Sequence, residues 1–394
     1  MDILFFIIIV ILGLGFVNLF KSQLPDNEMS ILKKLWFFHM LVGTGYYFLT
    51  KDGGGDAWGY WKRAKAMDSE DFWFNLLESQ GTGFMNAFNY FPSKVLDLGF
   101  FTNTMFYTLL GFFGFVFFYL LAYQLIPFNS KFKGYVLFPL VFFMPNLHFW
   151  SSGIGKDTIL FFCIGMFCYG LLNITKRLPL LLLALFLSYL VRPHITLFLV
   201  VSFGLAYVFG GKVSAGKRIF FSLILIGVGI AILPTVMEFA KIEEATVESF
   251  DEFSEKKVDL LSRGHTGSSL DISSYPFPLK VFTFLFRPLF FDINGIPAVV
   301  ASFENLLLLI LSYIVVFKNN FKSTFKNAPF VIKGMLFFLI IGTLAFSQSL
   351  GNLGIMIRMR NMFLPGLIIF ILWSFSYQQE LKNKSRTIQD EIEN

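Results

Sequence analysis

Long apolar runs alternate with short polar connections along this chain, and most of the charge sits in the connections. A membrane crossing needs about 20 mostly apolar residues. Runs near that length at 3–20, 31–49, 98–125, 134–150, 158–173, 178–191, 195–210, 219–239, 296–317, 329–347 and 362–378 predict about eleven transmembrane helices. The runs 178–191 and 195–210 are short and meet at Arg192-Pro193-His194. They predict either two spans joined at the membrane boundary or one broken re-entrant element. The expected fold is all-α: a polytopic transmembrane helical bundle over 1–378, with re-entrant or interfacial outer segments, and a tail over 379–394.

The loop charges orient that bundle. One set of loops carries Lys21, Lys33 and Lys34; Lys131 and Lys133; Lys176 and Arg177; Lys212, Lys217 and Arg218; and Lys318, Lys322 and Lys326. The tail adds Lys382, Lys384 and Arg386 to the same side, and outside the tail only Asp26 and Glu28 interrupt the cations. The positive-inside rule places this set in the cytoplasm, with the N-terminus outside and the C-terminus inside. The outer side then receives the long loops 50–97 and 240–295. The second is dense in acids: Glu238, Glu243, Glu244, Glu248, Asp251, Glu252, Glu255 and Asp259. A solvated acidic loop accounts for that run, and 242–262 can form an exposed amphipathic helix. No internal repeat is visible, so the inverted-repeat signature of many transporters is missing.

Composition changes the picture in three places. A hydrophobic share of 55% and a mean hydropathy of +0.66 exclude a conventional soluble protein. The net charge of +6 would suggest nucleic acid in a soluble domain, but here it follows from loop topology, so no nucleic-acid partner is expected. Cys163 and Cys168 share one apolar segment and read as small hydrophobes. No spacing among His39, His148, His194 and His265 resembles a zinc motif, so neither a metal nor a cofactor is expected. The chain opens Met-Asp without a basic flank or a small-residue cleavage site, which predicts a retained first span.

Candidate chemistry lies at the ends of the apolar runs. Arg192, Arg287, Arg358 and Arg360 each close or open one, and the charge-based topology puts all four on the outer face. A boundary arginine faces water, snorkels or binds an anion, and several together suggest a pocket for a phosphate-bearing ligand. The first outer loop reads Lys51-Asp52-Gly53-Gly54-Gly55-Asp56-Ala57-Trp58-Gly59-Tyr60-Trp61. It is either a glycine-rich connection with aromatic anchors or a loop presenting Asp56 or Asp52 as a base, with Tyr60 four residues on.

The stretch Ser151-Ser152-Gly153-Ile154-Gly155-Lys156-Asp157 fails the nucleotide-loop pattern, because Asp157 follows the lysine and no strand precedes it. Asp157 reads as a helix cap and Lys156 as a snorkelling or phosphate-binding cation at a helix N-terminus. At Arg192-Pro193-His194 the proline breaks the apolar stretch, leaving Arg192 to clamp an anion and His194 to move a proton, or both to sit at a plain boundary. Pro276 to Leu289 is too short to span and reads as interfacial. Glu304 lies inside an apolar run, where an acid marks either a functional site or a structural partner for arginine. Asn352, Arg358 and Arg360 precede the last run; on a helix the two arginines diverge by about 200°, so both reach one ligand only from an irregular stretch.

Taken in order, these motifs resemble the oligosaccharide repeat-unit polymerases of bacterial O-antigen, capsule and exopolysaccharide assembly. The likeness rests on Asp56-x-x-x-Tyr60, the stretch from Ser151 to Asp157, the His194 boundary and the late Arg358. Members commonly have Arg-Gln where this chain has Lys156-Asp157, and their large outer loop corresponds to 240–295 in modest form. The resemblance implies an undecaprenyl-diphosphate-linked glycan donor and a lipid-linked acceptor in the bacterial inner membrane, with other polysaccharide-assembly proteins as partners. The arginines, Lys156, Tyr60, Asn352 and Glu304 would bind substrate, and Asp56 or His194 would act as the base. Three other readings compete: a polyprenyl-phosphate-sugar-dependent multi-span glycosyltransferase, a polysaccharide transporter or flippase, and a structural membrane subunit.

Overall fold

A computed structural model describes residues 1–52, 55–210, 215–240, 258, 268–272 and 274–393. The proposed amphipathic helix 242–262 except residue 258, nearly all the acids of that outer loop, Gly53, Gly54 and Lys212 lie outside the described residues. The described chain is almost wholly helical. Its one named sheet is a two-stranded ribbon, β1 (Lys131–Phe132) against β2 (Tyr135–Val136). The helices are α1 (Asp2–Asn18), α2 (Asp26–Thr50), α3 (Gly55–Ala66), α4 (Ser69–Leu77), α5 (Thr82–Tyr90), α6 (Phe100–Leu125), α7 (Leu137–Leu140), α8 (Pro145–Phe149) and α9 (Lys156–Gly170). They continue as α10 (Ile174–Val191), α11 (Pro193–Val208), α12 (Ala215–Ala240), α13 (Phe277–Phe286), α14 (Ile296–Tyr313), α15 (Phe321–Asn327), α16 (Phe330–Ser349), α17 (Leu353–Arg360) and α18 (Leu364–Glu393).

The all-α expectation holds, and helices long and apolar enough to cross a bilayer mark an integral membrane protein. The span count does not hold. Among the described residues four stretches qualify: Phe100–Leu125, Lys156–Val191, Ile296–Lys318 and Phe330–Ser349. A fifth arises if Leu353–Arg360 and Leu364–Thr387, bent by 60°, form one span. The physical reasons differ by segment. At 1.5 Å per residue, α1 with 17 residues and α11 with 16 reach only about 25 Å, short of a ~30 Å hydrocarbon core. In α2, Asp26, Glu28, Lys33 and Lys34 occupy the first turns. The run 134–150 breaks into ribbon, α7, a 3-10 turn and α8, because Pro139 and Pro145 interrupt it. Lys156–Val191, expected as the two runs 158–173 and 178–191, folds back into two antiparallel helices: Asp157 at its start meets Arg192 just past its end.

The chain forms two compact units, 1–120 with 142–196, and 121–141 with 197–394. In the first, α9 and α10 make the principal hairpin, α1 and α8 pack on α2, and α3 and α4 pack on α5. Trp36 is fully buried and donates Nε1 to the Val10 carbonyl at 3.2 Å. Gly111 lets α6 touch the turn before α9: a Cβ there would come within 1.7 Å of the Ser151 carbonyl oxygen. Thr108 donates to the Ser152 carbonyl at 3.0 Å and Thr158 to that of Gly153 at 2.6 Å. Together these fix where α9 begins. Cys163 and Cys168 are free thiols buried on α9.

In the second unit, α16 packs against α18 and α13. Gly366 allows that first approach, since a Cβ would meet the Met335 carbonyl oxygen at 2.6 Å. Trp373 on α18 donates to the Thr324 carbonyl at 3.1 Å, tying the loop helix α15 down. Asn352 caps α17 by accepting from Ile355 N at 3.2 Å, and the chain at Ser269 bridges to it.

Candidate functional site

In the first unit, two motifs 35 positions apart in sequence come together. The α9–α10 hairpin returns Arg192 to the start of α9, where its Nη1 lies 3.0 Å from Asp157 Oδ1. Both side chains are buried, at 9% and 7% exposure. The cap of α9 is Gly155, not Asp157, so the expected capping role gives way to this ion pair. Lys156 is half-buried and donates Nζ to Thr82 Oγ1 at 3.1 Å, at the first residue of α5. Gly81 N donates to the Leu190 carbonyl at 2.9 Å, holding the same α5 start against the end of α10. Pro193 opens α11 and leaves His194 half-buried on its first turn.

The starts of α5 and α9 thus meet the end of α10 around Lys156, Asp157 and Arg192, with His194 two residues beyond Arg192 on the first turn of α11. Helix N-termini carry partial positive charge and unsatisfied N–H groups, so the place is suited to an anion. Asp157 pairs with Arg192 there. Asp56 is exposed in the first turn of α3, and Tyr60 on the same helix is buried with Arg63 5.3 Å over its ring. Arg63 donates to Asn86 Oδ1 at 3.1 Å, joining α3 to α5.

The second unit contains Arg287, Glu304, Asn352, Arg358 and Arg360. Arg360 is 1% exposed and acts as a donor hub. Its Nη1 faces the carbonyls of Phe284 (3.2 Å), Leu285 (2.5 Å) and Arg287 (3.3 Å), and its Nη2 donates to Asn305 Oδ1 at 2.6 Å. Asn305 in turn donates to the Pro288 carbonyl at 2.8 Å. Glu304, 8% exposed on α14, adds electrostatic attraction to Arg360. Arg287 makes a fork with Asp292, Nε to Oδ2 at 3.0 Å and Nη2 to Oδ1 at 2.5 Å, and lies 5.4 Å over the Phe291 ring. Those bonds hold its proton above the ordinary guanidinium range, against the effect of burial. Because 353–360 is helical, Arg358 leaves α17 in another direction from Arg360 and remains half-buried.

Three participants were not singled out in the sequence. Asp292 lies five residues from Arg287, at the end of a short 3-10 helix over Phe290–Asp292. Asn305 had only its place beside Glu304 to recommend it. The third is a buried pair, His39 Nδ1 to His148 Nδ1 at 2.8 Å, with His148 stacked 4.0 Å from Phe115 and its Nε2 2.7 Å from the Phe142 carbonyl. Nothing in a sequence separation of 109 announces that contact. No protein-family sequence profile, no curated protein and no solved structure matches this chain.

Proposed function

We propose that this protein carries out glycosyl transfer in a bacterial inner membrane, polymerising lipid-diphosphate-linked oligosaccharide repeat units, with its N-terminus outside and its C-terminus cytoplasmic. The observation that carries the reading is the meeting of Lys156-Asp157 with Arg192, two residues before His194, at the start of α9. These are two of the stretches on which the resemblance rests. In this reading Lys156, Arg192 and the surrounding helix N-termini stabilise the diphosphate as charge develops on it. Asp157 orients the Arg192 guanidinium. The acceptor hydroxyl oxygen attacks the anomeric carbon, the bond from that carbon to the diphosphate oxygen breaks, and the diphosphate leaves with the electron pair. His194 or Asp56 takes the hydroxyl proton. In the second unit Arg358 is assigned a phosphate-binding role of its own, while Arg287 and Arg360 hold the polypeptide through Asp292, Asn305 and backbone carbonyls.

Burial of Glu304 within a membrane-length helix favours a second reading, a polysaccharide transporter or flippase. One experiment separates the two. A strain lacking the gene is expected to accumulate lipid-linked single repeat units on the outer face; accumulation on the cytoplasmic face would establish transport instead. Arg192→Ala and Arg358→Ala are each expected to abolish polymer while the protein is still made. Normal polymer length in both would overturn the diphosphate assignment, and Lys156→Ala provides the same test at a less buried position.

A further inference from the structure

The second unit contains a cavity of about 330 Å³ that none of the chemistry above uses. Its walls include Leu309, Ser312 and Phe317 from α14 and the turn after it, with Phe321, Leu336 and Phe370 from α15, α16 and α18. The size falls within the ~300–1,000 Å³ range of small-ligand pockets. Apart from Ser312 and the Tyr313 hydroxyl, every lining residue is apolar. A cavity so lined holds water poorly, and a hydrocarbon chain is the chemistry that fits it.

The rim supplies the other half of the argument. Phe317 and Phe321 line the cavity, and Lys318 and Lys322 directly follow them, both exposed, with exposed Lys326 one turn further along α15. From residue 305 to residue 379 the chain contains no Asp or Glu, so no carboxylate from this stretch offsets those lysines. The loop is held in place by Asn319 donating to Ser374 at 3.1 Å and by Ser323 and Asn327 bonding Tyr377 at 3.0 and 2.9 Å. An apolar slot beneath a rigid cationic rim fits one class of molecule.

We infer that this cavity and its lysine rim form a binding site for an anionic phospholipid of the surrounding bilayer, with an acyl chain in the cavity and the phosphate at Lys318 and Lys322. Anionic headgroups gain from each nearby lysine, whereas a zwitterionic headgroup gains little. The site uses none of the residues assigned to glycosyl transfer.

The full-length protein, purified in detergent, is incubated with equal amounts of phosphatidylglycerol and phosphatidylcholine, and retained lipid is counted by native mass spectrometry. Phosphatidylglycerol is expected to exceed phosphatidylcholine by at least about fivefold, the factor corresponding to one lysine's contribution. The K318Q/K322Q/K326Q variant is expected to keep a lipid but bring that ratio to about one. Leu309→Trp, which fills the cavity, is expected to lose both lipids, and Ser312→Phe tests the same wall should Leu309→Trp fail to fold. Equal retention of the two lipids by the unmodified protein would overturn the inference, as would full retention by both cavity variants. Competition by millimolar glycerol 3-phosphate would show that the headgroup alone suffices and would overturn the acyl-chain assignment.

Discussion

Each unit buries an arginine, and the two are held in different ways. Arg192 has a carboxylate opposite it, and the pair sits at the start of a helix beside Lys156. Arg360 is surrounded mainly by backbone carbonyls and an amide oxygen, drawn from α13, the segment after it, and α14. The first arrangement leaves a cationic helix terminus whose strength depends on one ion pair. The second uses a guanidinium as a multi-point fastener, joining chain segments whose carbonyls lack helical partners because Pro288 and the end of α13 break the ladder. Burial alone therefore does not mark an arginine as functional. What it is bonded to does.

Substitutions at Arg360 should break the comparison most visibly. Removing it strips donors from three carbonyls and Asn305 at once and takes away the cation that Glu304 faces. Breaking a buried charged network costs about 3–5 kcal/mol. Arg360→Met is expected to lower the thermal unfolding midpoint in detergent more than any other single arginine change and to reduce the amount of folded protein. Arg360→Lys should recover only part of the loss, because one ammonium cannot serve acceptors on both sides of a planar fork. Unfolding at the unmodified temperature in Arg360→Met would show that the hub is dispensable.

The Asp157–Arg192 pair comes next. Asp157→Asn and Arg192→Met should each destabilise by an amount approaching the lower end of that ~3–5 kcal/mol range. The double variant Asp157→Leu/Arg192→Met should recover much of it, since apolar isosteres often replace a buried ion pair without loss. Stability and function then part: the double variant is expected to unfold normally and make no polymer. If it makes normal polymer, the pair is structural only. Coupling between the single changes, read from a double-mutant cycle, should be at least ~0.5 kcal/mol.

Arg287 and Asp292 form a smaller and more local fork, five residues apart at the end of α13. Asp292 also accepts from Leu289 N at 2.9 Å, so it organises the turn as well as the charge. Asp292→Ala is expected to cost about 1–3 kcal/mol, the range for leaving buried donors unmet. Thermal unfolding measures it, and a cost above that of Arg360→Met would reverse the order proposed for the second unit.

How much of this could be read from the sequence differs by level. Helix and membrane character were legible, because apolar runs of bilayer length have few other uses. The span number was not, because length along the sequence says nothing about whether a run stays straight. Pro139 and Pro145 broke one expected span, whereas the runs 158–173 and 178–191 are two helices of the hairpin that returns Arg192 to Asp157. At the site, the places of Lys156, Arg192 and His194 at the ends of apolar runs were visible. The Asp157–Arg192 pairing was not, since it depends on α10 having the length that brings its end back beside the start of α9. The warning that Arg358 and Arg360 diverge on a helix was legible from spacing alone.

Lys156 tests the comparison with the smallest expected change in stability. It is half-buried, it donates to Thr82, and its neighbour Asp157 is ion-paired with Arg192. Substitution to alanine should alter unfolding by no more than about 0.5 kcal/mol, as for most surface positions. Polymer formation is expected to fall sharply all the same, because in the proposed reading Lys156 stabilises the diphosphate beside the helix termini. Lys156→Arg should restore activity in part, keeping the charge while changing the reach. Full polymer in Lys156→Ala, with stability unchanged, would mean that the positive end of α9 has no ligand to hold, and the first unit's arginine would then differ from the second's in bonding but not in role.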